Sequence, residues 1–212
     1  MLQLWGRNHE GYGESPYLSG AMATEVIRGM QGHGLPSNNY SLILAGAKHF
    51  AAFDGPKNGG EAVISESDWL INYTPNFEAA VVEGGVQSLM CTYARSNFTP
   101  GASHTDKHGG TYGCANRLAL TTLLRERWQP PSMYVVSDCG AVHDGPASLT
   151  AGCDLECPFG QQSNAQFNKL GNLSRAGLVS EDAIGLAGKY TSNPSWINQA
   201  YGLDQSSAGM SF

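Results

Sequence analysis

The apolar residues of this chain fall into short runs whose spacing alternates between helical and strand-like. Between Ser19 and Met30, apolar side chains recur every three or four residues, which predicts a helix with Ser19 as N-cap and Gly32 just beyond its end. Residues 42–45 form a short apolar run, and residues 86–93 form a second segment of strand length. This part of the chain therefore predicts a helix followed by strands.

The same alternation continues in the second half. Residues 65–68 have the composition of a capping box, which predicts a helical region that continues to Val82. Residues 116–127 carry leucines at helical spacing and are followed by Pro130, so a helix capped by the first of these residues is predicted there. Residues 134–136 then predict a buried strand. Strands alternating with helices are typical of an α/β fold with a parallel sheet.

Two segments do not follow this alternation. Residues 95–113 are rich in Gly, Ser, Thr and His, and we expect a long loop there. Residues 193–212 are polar and rich in Gly and Ser. We expect them to form a disordered tail after a domain that spans residues 1–192.

Composition limits the classes of partner. The 212 residues are 41% hydrophobic and 14% charged, which is enough apolar material to bury a core. A formal net charge of -6 argues against nucleic acid or an anionic membrane as a partner, because both select clustered Lys and Arg. No apolar run approaches the ~20 residues of a membrane helix. A neutral ligand such as a sugar is more compatible with this composition.

The chain has five cysteines, and their positions leave two arrangements open. Cys91 and Cys114 flank one loop, and three further cysteines crowd a later segment, so two disulfides with one thiol left over are plausible in an oxidising compartment. The alternative is a zinc site with ligands drawn from Cys153, Cys157, His104 and His108. N-glycosylation patterns also favour secretion, at Asn39, Asn72, Asn97 and Asn172.

The strongest candidate for chemistry follows the predicted strand at 134–136. This strand delivers Asp138 to its carboxyl end, where the active-site residues of barrel folds lie. The alternative interpretation is structural, with Ser137 and Asp138 capping the next helix. The residues around Asp138 in the rest of the sequence favour the first interpretation.

Five further motifs occur in the order found in one enzyme family, at residues 5–20, 47–52, 88–93, 114–125 and 151–155. Together with the Asp138 segment, they resemble the N-terminal barrel domain of glycoside hydrolase family 3. Cys139, directly after Asp138, looks more like the β-xylosidase and arabinofuranosidase branch than the β-glucosidases, which tend to carry tryptophan there.

This resemblance implies a partial (β/α)8 barrel that lacks its first strands, and a retaining hydrolase of terminal β-linked sugars, such as xylosides of xylan, without cofactor or metal. By motif match, Asp138 is the catalytic nucleophile. Lys48 and His49 match the pair that hydrogen-bonds sugar hydroxyls, Arg7 matches an arginine that clamps vicinal hydroxyls, and Tyr93 matches a tyrosine that supports the nucleophile or the sugar ring.

The resemblance also implies parts that have no counterpart in this sequence. A retaining glycosidase needs a second carboxyl group about 5 Å from the nucleophile as acid and base, and the family takes it from a sandwich domain after the barrel. We therefore expect a chain truncated at both ends and nearly inert alone, with none of Glu10, Glu14 and Glu156 assigned to this role. The alternative function is a non-catalytic carbohydrate-binding or degenerate barrel protein that kept the sugar-contacting rim.

Overall fold

Strands and helices alternate along the residues that the computed structural model describes, namely 5–33, 41–53, 62–97, 110–130, 132–158 and 165–192. The strands are β1 (Gly46–Phe50), β2 (Ala62–Val63), β3 (Ser88–Cys91), β4 (Arg95–Asn97), β5 (Thr111–Tyr112) and β6 (Tyr134–Ser137). The α-helices are α1 (Pro16–Gln31), α2 (Glu66–Asp68), α3 (Pro75–Glu78), α4 (Gly145–Ala151), α5 (Leu170–Arg175) and α6 (Glu181–Thr191). The α/β prediction is confirmed.

Several helical segments have wider or tighter turns than an α-helix. π-type turns follow α2 at Trp69–Tyr73 and α3 at Ala79–Glu83, and a longer π-type helix spans Leu118–Trp128. Short 3-10 turns occur at Asn8–Glu10, Gly113–Ala115 and Phe167–Lys169. Within the described ranges, none of the helices combines the length and the apolarity that crossing a membrane requires.

The main sheet has three parallel strands in the order β1-β3-β6. Leu89 of β3 lies opposite Val135 of β6, and an isolated parallel bridge joins Val136 to Leu155 beyond β6. Because the strands are parallel, their carboxyl ends share one edge of the sheet. A second, small sheet has the order β2-β4-β5, in which β4 and β5 are antiparallel.

Helix α1 begins earlier than the sequence predicts. Its N-cap is Ser15, whose Oγ accepts a hydrogen bond from the Leu18 N–H at 3.3 Å, and Pro16 is its first residue. Proline suits that position because its φ is already helical and its missing N–H has no helical partner there. The prediction of Ser19 as N-cap is therefore wrong. The predicted end is confirmed, since Gly32 adopts the left-handed conformation with a φ of 78°.

Two other predicted helix starts are confirmed. The Oγ of Ser65 accepts a hydrogen bond from the Asp68 N–H at 3.0 Å, and Asn116 Oδ1 accepts one from the Ala119 N–H at 3.1 Å. Each side chain satisfies a backbone donor that the first helical turn leaves without a partner.

Strand β1 lies after the apolar run 42–45 and not within it. Leu42 and Ile43 are 63% and 51% exposed, and pairing with β3 begins at Gly46. The start of a strand is set by the register of its neighbour, which apolar content alone does not reveal. The strand still ends at the predicted place, beside Lys48 and His49.

The segment 95–113 is not wholly a loop. Its two ends form β4 and β5, which pair with each other, whereas residues 98–109 lie outside the described residues. The predicted tail at 193–212 also lies outside them.

Phe50 is at the centre of the main core. It is fully buried, and its ring centroid lies 5.1 Å from that of Phe77, 5.6 Å from that of Trp128 and 6.3 Å from that of Trp69. These partners come from three helical segments, which cover the sheet. Burying one such ring stabilises the fold by about 1.5–3 kcal/mol. The contacts therefore anchor the end of β1 that carries His49.

The amino end of β6 is held by a buried ion pair. Arg125 Nη2 donates to Asp154 Oδ2 at 2.6 Å, and the same oxygen accepts the Val135 N–H at 2.7 Å. Arg125 Nη1 also donates to the Met133 carbonyl at 2.6 Å. Desolvation raises the pKa of Asp154 to about 6, although Arg125 and the Val135 N–H act in the opposite direction.

Candidate active site

Strand β6 ends at Ser137 and delivers Asp138 to the carboxyl edge of the main sheet. The Asp138 N–H donates to the Cys91 carbonyl at 2.9 Å, which ties it to the end of the neighbouring strand β3. Its Oδ1 accepts the Cys139 N–H at 2.7 Å. Helix α4 is capped by Asp144, whose Oδ1 accepts a backbone N–H at 2.9 Å. The interpretation of Ser137 and Asp138 as a helix cap is therefore wrong.

The second carboxylate oxygen of Asp138 has no hydrogen-bond donor among the described residues. Oδ2 is inaccessible to solvent and accepts no hydrogen bond from the described residues. His49 Nε2 lies 3.4 Å from it, beyond the usual range of an N–H···O bond. A buried acceptor without a donor is unfavourable in a stable core, which leaves Oδ2 available to a ligand.

His49 is neutral near pH 7. Its side chain is 3% exposed, and this desolvation lowers its pKa to about 4, outweighing the attraction of Asp138. Nε2 also lies 3.5 Å from Nη2 of Arg7. Each nitrogen of a neutral imidazole either donates or accepts. His49 Nε2 can therefore serve Asp138 as a donor or Arg7 as an acceptor, but not both at once.

Glu10 connects the two cations of the site. Its carboxylate accepts two hydrogen bonds from Arg7, at 2.6 and 2.9 Å, and one from Lys48 Nζ at 3.0 Å. The Arg7 bonds, followed by the Lys48 bond, lower the pKa of Glu10 to about 2. The same pairing with Glu10 raises the pKa of Arg7. Among the described residues, Lys48 forms its ion pair with Glu10 and not with Asp138.

Phe53 is the contact that the sequence motifs did not identify. Its ring centroid lies 4.8 Å from that of His49 and 4.7 Å from that of Tyr93, and the Arg7 guanidinium lies 5.3 Å from it. Trp5 packs edge-on against the same ring at 5.7 Å. An aromatic residue shortly after the Lys48-His49 pair is the sequence signal that would have indicated it.

Four of the five predicted site residues thus lie together. Phe53 joins Arg7, His49 and Tyr93, and His49 lies beside Asp138. The fifth, Lys48, is on the outer side of this group, where its side chain is 46% exposed.

A cleft opens beside this cluster. Its lining includes the side chains of Trp5, Phe53, Lys48 and His49, together with two amides, Asn72 and Asn76. Asp138 does not line it. Aromatic rings with convergent amide and charged groups are common in binding pockets, so this cleft is an additional place for a polar ligand beside the site.

Two disulfides flank Asp138. Cys91 pairs with Cys114 and Cys139 pairs with Cys157, whereas Cys153 is a buried free thiol. Two disulfides with one remaining thiol were one of the two arrangements that the sequence left open. The zinc alternative is wrong because Cys157 is used in a disulfide; its two histidines lie outside the described residues.

Glu156 also has a structural role. Its carboxylate accepts the backbone N–H groups of Gln166 at 3.0 Å and of Phe167 at 2.6 Å. These bonds fix the segment that leads into α5. A carboxylate engaged in this way is not available as a proton donor at Asp138.

Comparison with known proteins identifies the class to which this site belongs. The model of the glycosyl hydrolase family 3 N-terminal domain matches residues 3–187, so the chain belongs to this family. A xylan 1,4-beta-xylosidase of Xylanibacter ruminicola is 32% identical over 199 residues, which cover 85% of this chain and 21% of that protein. Beta-D-xylosidase 3 of Arabidopsis thaliana is 31% identical over 200 residues, covering 85% of this chain and 24% of that protein.

Solved structures agree with this assignment. The glycoside hydrolase family 3 β-glucosidase of Bifidobacterium adolescentis aligns with a TM-score of 0.75 and 28% identity, covering 95% of this chain and 27% of that one. A family 3 exo-β-xylosidase, XlnD, in complex with a xylobiose aziridine probe aligns with a TM-score of 0.72 and 28% identity, covering 97% and 27%. The chain spans about a quarter of the length of these proteins. The family resemblance read from the motifs is confirmed.

Proposed function

We propose that this chain provides the nucleophile side of a retaining β-glycosidase site, with Asp138 as the nucleophile. The observation that carries the proposal is Asp138 Oδ2, a buried carboxylate oxygen at a strand end that accepts no hydrogen bond from the described residues. Arg7, His49 and Tyr93 pack around Phe53, and His49 lies beside Asp138. We assign these three residues, with Lys48, to contacts with sugar hydroxyls and with the sugar ring.

In this mechanism, an Asp138 carboxylate oxygen attacks the anomeric carbon and forms a glycosyl ester as the aglycone oxygen departs. Water then hydrolyses the ester with retention of configuration. Neutral His49 can hydrogen-bond either Asp138 or a sugar hydroxyl without carrying a charge into the buried site. The departing oxygen needs a proton from a second carboxylic acid, and we assign that role to neither Glu10 nor Glu156, because both are already bonded.

Terminal β-xylosides are the proposed substrates. The support is the names of relatives, several of which are xylosidases, together with the xylobiose-type probe bound to one structural neighbour. β-Glucosidases occur among the relatives and neighbours as well, so β-glucosides are the matched comparison in any assay.

The proposed architecture is part of a (β/α)8 barrel formed by residues 1–192. Three neighbouring parallel strands in chain order support it. An isolated parallel bridge from Val136 to Leu155 extends the sheet beyond β6. In such a barrel the carboxyl ends of the strands form the active-site face. Secretion is the proposed location, supported by two disulfides in the described residues.

The test uses the 212-residue chain and a 2,4-dinitrophenyl β-xyloside. This leaving group departs without protonation, so we expect slow release of at most one dinitrophenol per chain and a pentosyl ester on Asp138, mapped by peptide mass spectrometry. Natural xylobiose should not react. Asp138→Asn should remove the ester, whereas Glu156→Gln should keep it. An adduct on another residue, or release that is unchanged in Asp138→Asn, would contradict the assignment.

A second candidate function is sugar binding without turnover. The cleft beside Lys48 and His49 favours it, because amides and aromatic rings line that cleft and Asp138 does not. The same assay separates the two functions. Two results together would favour the binding protein. The wild-type chain would form no adduct with the dinitrophenyl xyloside, and the Asp138→Asn variant would still bind xylose.

A further inference from the structure

Three sulfur atoms meet in the core behind the proposed site, although only two of them are bonded. The Sγ atoms of Cys91, Cys114 and Cys153 all lie within 4.8 Å of one another, and all three residues are fully buried. Cys91 and Cys114 form a disulfide, and the Cys153 thiol lies beside it, with its Sγ 3.9 Å from the Cys91 Sγ. Thiol–disulfide exchange needs the attacking sulfur in line with the bond that breaks, so the Cys153 side chain must first rotate from this position beside the bond.

We propose that the disulfide can migrate, so that the folded chain exists as two covalent isomers. In the first isomer, Cys91 is bonded to Cys114. In the second, Cys91 is bonded to Cys153, and Cys114 carries the free thiol. The isomers would have the same composition and oxidation state.

The exchange balances without any added reagent. When the core opens locally, the Cys153 thiol loses its proton to water, and the resulting thiolate rotates into line with the Cys91–Cys114 bond and attacks the Cys91 Sγ. The Cys91–Cys114 bond breaks as the Cys91–Cys153 bond forms, and Cys114 leaves as a thiolate that takes up a proton. Nothing is oxidised or reduced overall, and the Cys114 thiolate can reverse the reaction.

Burial makes this an internal reaction. Because all three residues are fully buried, dissolved thiols do not reach the disulfide while the chain is folded. Cys153 also bonds weakly through its Sγ to the Leu155 carbonyl at 3.6 Å. Burial raises the pKa of Cys153 well above its usual range, so the thiolate is scarce and the exchange is slow. Cys139–Cys157 differs, because Cys139 is exposed and an external reductant can reach it.

The two isomers would hold different parts of the site. The bond from Cys91 to Cys114 fastens the turn after β5 to the end of β3, just before Tyr93. Gly113, in that turn, packs so closely against Thr92 that any side chain would overlap it, and its N–H donates to the Ala94 carbonyl at 2.9 Å. The alternative bond would fasten β3 to the strand segment beyond β6. It would leave the turn held by packing and this hydrogen bond alone.

The consequence for the proposed function is a change in how firmly Tyr93 is held. This part of the inference rests on Tyr93 contacting the sugar, whereas the exchange itself does not. The two are tested separately, because the disulfide map is read without any substrate.

The first experiment maps thiols in the folded, oxidised chain. The protein is incubated for days near pH 8, denatured at low pH to stop exchange, and alkylated with a reagent that acts at that pH. Peptide mass spectrometry should find alkylated Cys153 and also alkylated Cys114, with a matching Cys91–Cys153 linkage. Cys153→Ser should abolish alkylation of Cys114. If Cys153 is the only alkylated residue at all times, the proposal is wrong.

The second experiment refolds reduced Cys114→Ser in the presence of oxidised glutathione, which reaches Cys91 and Cys153 before they are buried and supplies the oxidant for a new disulfide. We expect a Cys91–Cys153 disulfide, seen as complete loss of Cys153 alkylation, with the far-ultraviolet circular dichroism of the wild type. Two free thiols in a folded variant would overturn the proposal. If this variant does not fold, the wild-type map still decides the question.

Discussion

The two aspartates at opposite ends of β6 have the same side chain and opposite environments. Asp154, at the amino end, has both a cation and a backbone donor as partners. Its Oδ2 accepts hydrogen bonds from the Arg125 guanidinium at 2.6 Å and from the Val135 N–H at 2.7 Å. Asp138, at the carboxyl end, bonds through Oδ1 only to the N–H of the next residue, and its Oδ2 has no donor among the described residues.

The difference in hydrogen-bond partners indicates which end of β6 contributes to stability. The side chain of Asp154 is 4% exposed and that of Asp138 is 16% exposed, so neither is a solvated surface charge. A buried carboxylate is stable when a cation and further donors satisfy it. Asp154 meets that requirement and Asp138 does not. In parallel α/β barrels the carboxyl ends of strands carry the active site and the amino ends contribute to stability, which agrees with the role proposed for Asp138.

The largest expected effect is on the stability that Asp154 provides. Arg125→Ala leaves Asp154 buried without its cation and should lower the free energy of unfolding by about 3–5 kcal/mol, measured by urea denaturation near pH 7.5. Asp138→Asn removes a charge that has no hydrogen-bonded cation, and it should change stability by less than about 1 kcal/mol.

The matched control is Arg127→Ala on the same helix. Arg127 is exposed, so its loss should change stability by no more than about 0.5 kcal/mol. Equal losses in the Arg125 and Arg127 variants would mean that the buried ion pair does not carry the difference between the two ends of β6.

The sequence predicted Asp138 better than Asp154 for a physical reason. Asp138 follows its own strand directly, so a local pattern and a family motif both identify it. Asp154 is also within a motif, but its partner Arg125 lies 29 residues away, and only the folded chain brings the two together. Likewise, the position of Phe53 after the Lys48-His49 pair marks it as a candidate, but its contacts with Arg7 and Tyr93 are made only in the folded chain.

Element types were predicted more successfully than element ends. The alternation of strands and helices needs only local periodicity, whereas the start of β1 depends on pairing with β3. The short strands β4 and β5 escaped prediction because they are polar and pair only with other short strands of the second sheet. Placing Lys48 against Glu10 required the tertiary structure as well, since the two residues are 38 positions apart.

The next effect concerns the neighbour of Asp138. The pKa of His49 is lowered from 6.5 to about 4, so between these values the unfolded chain binds a proton that the folded chain does not. The contribution of neutral His49 is therefore complete above about pH 6.5 and is lost as the pH falls toward 4. The loss is on the order of 2–3 kcal/mol over this window.

The measurement is the difference between wild type and His49→Gln in urea unfolding from pH 4 to pH 7. The wild type should gain stability relative to the variant as the pH rises. Asp154 changes in the opposite sense in the same window, because its pKa is raised, but it is present in both proteins and cancels in the difference. Arg7, Lys48, Glu10 and Asp138 also surround His49 and are common to both proteins. A flat difference curve would show that His49 titrates normally in the fold.

The smallest expected effect is a change in the pKa of Glu10, the outer carboxylate of the site. Its side chain is more exposed than that of either aspartate. Its pKa of about 2 comes first from the Arg7 hydrogen bonds and then from Lys48. In a carbon-detected NMR titration, Arg7→Met should therefore raise the pKa of Glu10 more than Lys48→Met does. Exposed ion pairs are screened by salt and contribute little to stability, so the unfolding midpoint should move little in either variant.

The decisive observation is which of the two variants raises the pKa of Glu10 more. A larger shift from Lys48→Met would mean that Lys48, and not Arg7, is the main partner of Glu10, and that the Arg7 guanidinium is freer to approach His49 and Asp138 than the hydrogen bonds indicate.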